Sequence, residues 1–188
     1  MELSDQIAAY TPWNEQEAHD KALLLQWLES GQDIYTRENA AAHLTASAWV
    51  VSPDRQQVLM VYHNIYHSWS WMGGHADGDR DLLHVARKEV MEESGLKELK
   101  LLSPDIFSLE ILTVDGHIKR GSYVSSHLHL NVTYLFEADP EQPVAMKPDE
   151  NSGVAWIPVE QLPEKVSEPW FLEWIYSKLC QKVVQTGL

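Results

Sequence analysis

Apolar residues recur along this chain with two periods, and the places where the period changes divide it into elements. Leu24, Trp27 and Leu28 fall at helical spacing within 18–28. Thr11-Pro12 reads as an N-cap and first helical position of the opening helical region, and Gly31 as the end of the run. Positions 42–51 and 57–63 then read as strands, with Pro53-Asp54 as a turn between them. Strand-like stretches return at 107–114 and 125–136. The second alternates: His127, His129, Asn131 and Thr133 point one way, and Leu128, Leu130, Val132 and Tyr134 the other. Residues 149–152 read as a polar loop and 153–158 as a short strand. Pro169 opens a final helix that carries Trp170, Leu172, Trp174, Ile175 and Leu179. Strands mixed with helices in this order predict an α/β sandwich around a mixed sheet.

Composition narrows this picture. The chain has 188 residues, 44% of them apolar, enough for one domain with a full core. No run approaches the roughly 20 apolar residues of a membrane span. The start, Met-Glu-Leu-Ser-Asp-Gln, lacks the basic-then-apolar pattern of a secretory signal. A single cysteine, Cys180, allows no internal disulfide and reads as a packed, inert thiol in the last helix. A cytoplasmic protein is expected. With 28 acidic and 14 basic side chains the formal net charge is −14. Such a surface repels nucleic-acid backbones and anionic membranes, so neither is expected as a partner.

Between Gly73 and Leu96 the charge acquires a pattern. A helix starting near Asp79 or Asp81 and ending at Gly95 would carry Leu82, Leu83, Ala86 and Val90 on one arc. Glu89, Glu92 and Glu93 fill the adjoining arc, close to where an ordinary surface helix buries neutral residues. Carboxylates at spacings of three and four repel one another, and bound cations relieve the repulsion. Mg²⁺ prefers carboxylate oxygens and completes its shell with water and phosphate oxygens. Gly73-Gly74, just ahead, permits a tight backbone turn against such a site.

This stretch resembles a Nudix box, G-x5-E-x7-R-E-U-x-E-E-x-G-U with U aliphatic. Gly74, Glu89, Val90, Glu92-Glu93 and Gly95-Leu96 match it in spacing and type; Arg80 stands where the pattern has Glu, and Lys88 where it has Arg. Asp79 and Asp81 are the acids nearest to the missing one. The segments His43-Leu44-Thr45-Ala46-Ser47-Ala48-Trp49, Trp71-Met72-Gly73-Gly74-His75-Ala76-Asp77-Gly78 and Asp149-Glu150-Asn151-Ser152 resemble a bacterial Nudix subgroup with an N-terminal helical extension. The resemblance implies an α/β/α sandwich with extra N- and C-terminal helices, residues 1–40 as the extension and 41–188 as the domain. It implies a hydrolase cleaving the diphosphate linkage of a nucleoside diphosphate derivative or similar pyrophosphate. Mg²⁺, or Mn²⁺ in its place, would be held by Gly74, Glu89, Glu92 and Glu93. Glu92 is also assigned a catalytic part, with Glu150 as general base. The charge reversal at Arg80 keeps a second reading open, a non-catalytic module of the same fold that binds a nucleotide or sugar phosphate. An isoprenoid diphosphate isomerase on this fold would need a cysteine in the cleft, and Cys180 is badly placed for it.

The remaining candidates are substrate contacts for a small-molecule diphosphate. Lys119-Arg120-Gly121-Ser122 is the densest basic spot and reads as an exposed hairpin tip able to meet a phosphate. Arg37 and His75 join this set. His127 and His129 share a strand face and, with His75, could bind zinc; because the carboxylates already provide a hard-cation site, they are assigned to the cleft instead. Trp69 and Trp71 flank the glycine turn, as stacking platforms or as packing. The Trp-rich last helix packs on the domain or forms a homodimer contact.

Overall fold

A computed structural model describes residues 2–64, 67–119, 121–149 and 151–187, without the side chain of Lys119. In chain order the elements are α1 (Leu3–Ala9), α2 (Glu15–Glu29), β1 (Ala42–Val51), β2 (Gln57–His63), β3 (Ser68–Ser70), β4 (Met72–His75), α3 (Leu82–Ser94), β5 (Lys100–Leu101), β6 (Ser108–Val114), β7 (His117–Lys119), β8 (Ser122–Val124), β9 (His127–Glu137) and β10 (Asn151–Pro158). A 3₁₀ turn (Val159–Gln161), α4 (Leu162–Lys165), a π-helical segment (Phe171–Tyr176) and α5 (Ser177–Thr186) follow.

Every residue of β1 is buried, as expected of a strand covered on both faces. It runs parallel to β9, from Ala42 opposite Leu128 to Val51 opposite Glu137. Its other edge is divided. β2 meets it at Val51 opposite Val58. β4 takes the rest, with Thr45 opposite His75, Ala46 opposite Gly74 and Ser47 opposite Gly73. β10 and β3 flank β2, β5 and β6 flank β9, and β7–β8 form a separate hairpin. The result is a mixed α/β fold around an eight-stranded sheet with helices at both ends of the chain.

The alternation seen in 125–136 sets the two faces. Leu128, Leu130, Val132, Tyr134 and Phe136 join Leu44, Ala46, Ala48 and Val50 in a core that also takes Leu3, Ile7, Leu24, Leu82, Val85, Ala86 and Val90 from α1, α2 and α3. The opposite core gathers Trp49, Val51 and Leu135 with Ile175, Tyr176, Leu179 and Val183 of the C-terminal segment.

Two expected boundaries shift, and one helix is wound differently. The helix after the first turn starts from Asn14, whose side chain accepts the Glu17 N–H, rather than from Thr11-Pro12, which lies before it. β10 begins at Asn151, inside the expected loop, because Asn151 is tied down: Nδ2 donates to the Glu93 carbonyl and Oδ1 accepts from the Lys147 N–H. The last helix opens at Pro169 as expected, but it is not regularly wound. After Pro169 and Trp170, residues Phe171–Tyr176 are wound as a π-helix, with Ile175 and Tyr176 buried. Among the described residues no helix is long and apolar enough to cross a membrane.

Candidate active site

α3 begins at Asp81, whose side chain accepts the His84 N–H at 3.0 Å, and closes at Gly95 with φ 72°. A left-handed φ is the reason a glycine stands there. The apolar arc fastens the helix to the sheet and turns the glutamates toward β4. A Cβ on Gly74 would lie 2.5 Å from Cδ of Glu89, so that carboxyl rests directly on the glycine backbone. The Gly73 N–H donates to Oε1 of Glu93 at 3.3 Å, and Glu93 is only 6% exposed. Glu92 is the outermost of the three, with Lys147 at 3.4 Å and Lys88 at 3.8 Å; Lys88 also reaches Glu89 at 3.7 Å. The long ion pairs with two partly exposed lysines are weak. The arrangement therefore concentrates hard oxygen donors beside a backbone turn.

The two departures from the box have different surroundings. Lys88 stays among the acids. Arg80 turns away from them and places its guanidinium 4.5 Å from the ring centre of Tyr35. The neighbouring acids have other partners: Asp81 caps α3, and Asp79 pairs with Nδ1 of His84 at 2.8 Å. That hydrogen bond, with the Asp81 backbone N–H, holds the Asp79 carboxyl below the usual carboxylate range. A cleft of about 300 Å³ opens nearby between Leu3, Gln6, Arg80, Leu83 and Tyr134, and its lining contains none of the three glutamates.

His75 follows Gly74 and points to the other face of the sheet, where the structure gathers histidines. His43 of β1 lies 5.1 Å from His75, 4.8 Å from His127 and 5.1 Å from His129, ring centre to ring centre. Ligating nitrogens of His43, His75 and His129 all lie within 4.8 Å of one another. Burial, opposed by the Asn39 carbonyl bond, lowers the pKa of His43. Sequence reasoning missed His43. Only the parallel register of β1 on β9, which puts it opposite His129, brings it to this face.

The other candidates are scattered. Arg37 makes a bidentate pair with Asp77, both bonds 2.7 Å and both side chains about half exposed, so its fork is already engaged beside the glycine turn. Lys119 ends β7 opposite Ser122 in the separate hairpin. Arg120 and Glu150 lie outside the described residues. Trp71 is core, edge-on to Phe171 and Tyr176, and Trp69 packs edge-on to Tyr62. Burial pushes the Cys180 thiol up to about 12, in keeping with an inert side chain.

Behind the histidines the same face continues as a buried polar network that sequence reasoning also missed. Thr45 and Ser47 donate to Asn131 at 2.9 Å each, and Asn131 donates to Glu110. Lys178 bridges Glu110 and Glu17 at 3.1 and 3.2 Å, and Lys182 reaches Glu17 at 2.9 Å and the Tyr10 hydroxyl at 2.6 Å.

A sequence profile of the NUDIX domain matches residues 41–176. Among solved structures, a C. elegans Ap4A hydrolase in a binary complex superposes with a TM-score of 0.54 at 17% identity, over 77% of this chain and 98% of its own. The E. coli dihydroneopterin triphosphate pyrophosphohydrolase gives 0.55 at 12%, over 76% and 95%. A MutT protein from Methanosarcina mazei Go1 gives 0.54 at 14%, over 79% and 97%. At these identities the likeness is one of fold, and the profile, which spans most of the chain, shows that the chain belongs to the Nudix family.

Proposed function

We propose that this chain is a divalent-metal-dependent hydrolase of the diphosphate linkage in a nucleoside diphosphate derivative or a similar pyrophosphate. The observation that carries the reading is the seat of Glu89 and Glu93 on the Gly73-Gly74 backbone, with Glu92 beside them on the open side of α3. An all-oxygen donor set of this kind suits Mg²⁺, with Mn²⁺ as a substitute. The ion supplies Lewis-acid polarisation of the diphosphate and a more acidic water. The chain supplies the rest. Gly74, Glu89, Glu92 and Glu93 hold the ion, while Lys88 and Lys147 reduce the repulsion among the acids. Glu92, the outermost acid, is also assigned a catalytic part, and Glu150 is assigned as the general base that accepts the proton of the attacking water. Substrate contacts are assigned to Arg37, His75, Lys119, Arg120, His127 and His129, of which Arg37 must share its fork with Asp77.

Release of product from a panel of diphosphates with Mg²⁺, each run beside Glu93→Gln, tests this reading. The panel holds ADP-ribose, nucleotide sugars, dinucleoside polyphosphates, NADH and nucleoside triphosphates. Dihydroneopterin triphosphate joins it because a structural neighbour is named for that substrate. Turnover in the parent and none in a folded Glu93→Gln is the expected result. Full activity in the variant overturns the site.

The stacking of Arg80 on Tyr35 favours one other reading, a non-catalytic module binding a nucleotide or sugar phosphate. A silent parent that gains turnover on Arg80→Glu with Lys88→Arg supports the module. Three further assignments go with the main reading: residues 1–40 as the extension of a domain at 41–188, as in the bacterial subgroup; a cytoplasmic location; and a homodimer through exposed Trp170 and Trp174, read by sedimentation.

A further inference from the structure

The histidines on the face opposite α3 have an arrangement that packing alone does not require. His43 is 4% exposed, and its Nδ1 stands 3.1 Å from the carbonyl oxygen of Asn39. A carbonyl only accepts, so Nδ1 carries the proton and, in the neutral ring, Nε2 is a bare lone pair. That Nε2 is buried and has no hydrogen-bond partner among the described residues. Buried polar atoms are nearly always satisfied, and one left bare calls for an explanation such as an ion. His127 is oriented in the same way, with its Nδ1 2.8 Å from the Ser125 carbonyl, and its Nε2 is hydrogen-bonded to Nε2 of His129, 3.3 Å away. Two imidazole nitrogens bound to one tetrahedral zinc are separated by about 3.4 Å, given Zn–N bonds of about 2.0–2.1 Å. Donation of the outer N–H to a backbone carbonyl is also how proteins orient metal-binding imidazoles.

We propose that His43, His75 and His129 form a second metal site, specific for a zinc-type transition cation and separate from the carboxylates of α3, with His127 at its open side. The three nitrogens, mutually within 4.8 Å, come from β1, β4 and β9, adjacent strands of one rigid sheet. Zn–N bonds of about 2.0–2.1 Å require these nitrogens to close to about 3.4 Å of one another. An imidazole set selects zinc, cobalt or nickel over magnesium, whereas a carboxylate set is also suited to magnesium. The two sites can therefore hold different ions at once, and the second ion joins the ends of the three strands from which the histidines project. Occupancy would take His75 and His129 out of direct contact with substrate.

The test is a Co²⁺ titration of the chelator-treated full chain in excess Mg²⁺, followed by visible absorption and by competition with Zn²⁺. One equivalent of Co²⁺ should bind with the absorption of a tetrahedral nitrogen-ligated ion and be displaced by Zn²⁺. Binding should weaken at least about tenfold in His129→Asn and in His43→Gln. Circular dichroism separates loss of the site from loss of the fold; His129, only partly buried, keeps the test decisive where His43→Gln does not fold. Glu93→Gln should leave the cobalt spectrum unchanged, so failure of the carboxylate site and failure of this one read out separately. Absence of the cobalt spectrum, or equal affinity in the parent and a folded His129→Asn, overturns the proposal.

Discussion

Consecutive glycines in β4 face in opposite directions and are needed for different reasons. A Cβ at position 74 meets Cδ and Oε1 of Glu89, the free end of a flexible side chain. A Cβ at position 73 meets the Ala46 carbonyl at 2.7 Å and Cα of Ser47 at 2.9 Å, both backbone atoms of the central strand. The two alanine variants should therefore fail differently. Gly74→Ala displaces Glu89 and should lower metal-dependent turnover on the order of a hundredfold, as a misplacement near 1 Å can, with little change in melting temperature. Gly73→Ala should destabilise by about 1–3 kcal/mol, since the strand itself must give way. Turnover and thermal melts on the two proteins check the contrast; equal melting losses would contradict it. At this scale the sequence showed that Glu89, Glu92 and Glu93 share a side of α3 with a glycine turn before them. It could not show that Arg80 faces Tyr35, because Tyr35 precedes β1 and meets α3 only once the chain has folded.

Elements were legible where local chemistry decides them. β1 and β2 have the expected bounds, and α3 runs between the Asp81 cap and Gly95 as its pattern implies. Removing that cap in Asp81→Ala should cost about 1 kcal/mol, seen as a lower midpoint in urea. An unchanged midpoint would show that the sheet alone holds the first turn. What escaped the sequence was decided by distant partners. α1 is short, and its Leu3 and Ile7 are buried only by packing into the common core. The winding of 171–176 follows the same rule. Tyr176 stacks on Trp49 from β1, and its hydroxyl lies 3.3 Å from the Trp71 N–H, contacts that no local pattern reports.

Across the whole molecule the buried network joins regions far apart in the chain. Glu17 of α2 and Lys178 and Lys182 of α5 are separated by more than 160 positions and are all at most 5% exposed. The profile match, residues 41–176, excludes all three, although Glu110 inside it depends on Lys178. Burial acts to raise the Glu17 pKa, but Lys178, Lys182 and the Tyr10 hydroxyl outweigh it and hold the carboxyl at about 2, against an ordinary 4.5. A carboxyl with a lowered folded pKa stabilises the fold above its unfolded pKa, and that contribution is lost as pH falls from 4.5 toward about 2. Stability should therefore decline through that window, and Glu17→Gln should flatten the decline. The same variant takes the Glu17 charge from buried Lys182, leaves Lys178 with Glu110, and should lose about 3–5 kcal/mol near neutral pH. Urea unfolding of both proteins between pH 2 and pH 7 reads both effects together; parallel curves would refute the assignment. None of this was visible in the sequence, because a lysine in a terminal helix ordinarily reads as a solvated charge until its partner is known.

Gly74 and His75 are neighbours on one strand, yet one faces the glutamates and the other the histidines. A deletion or insertion of a single residue in β4 would exchange the two outlooks, since side chains alternate with a period of two. Point substitutions can therefore erode either constellation alone, whereas a length change here removes both together.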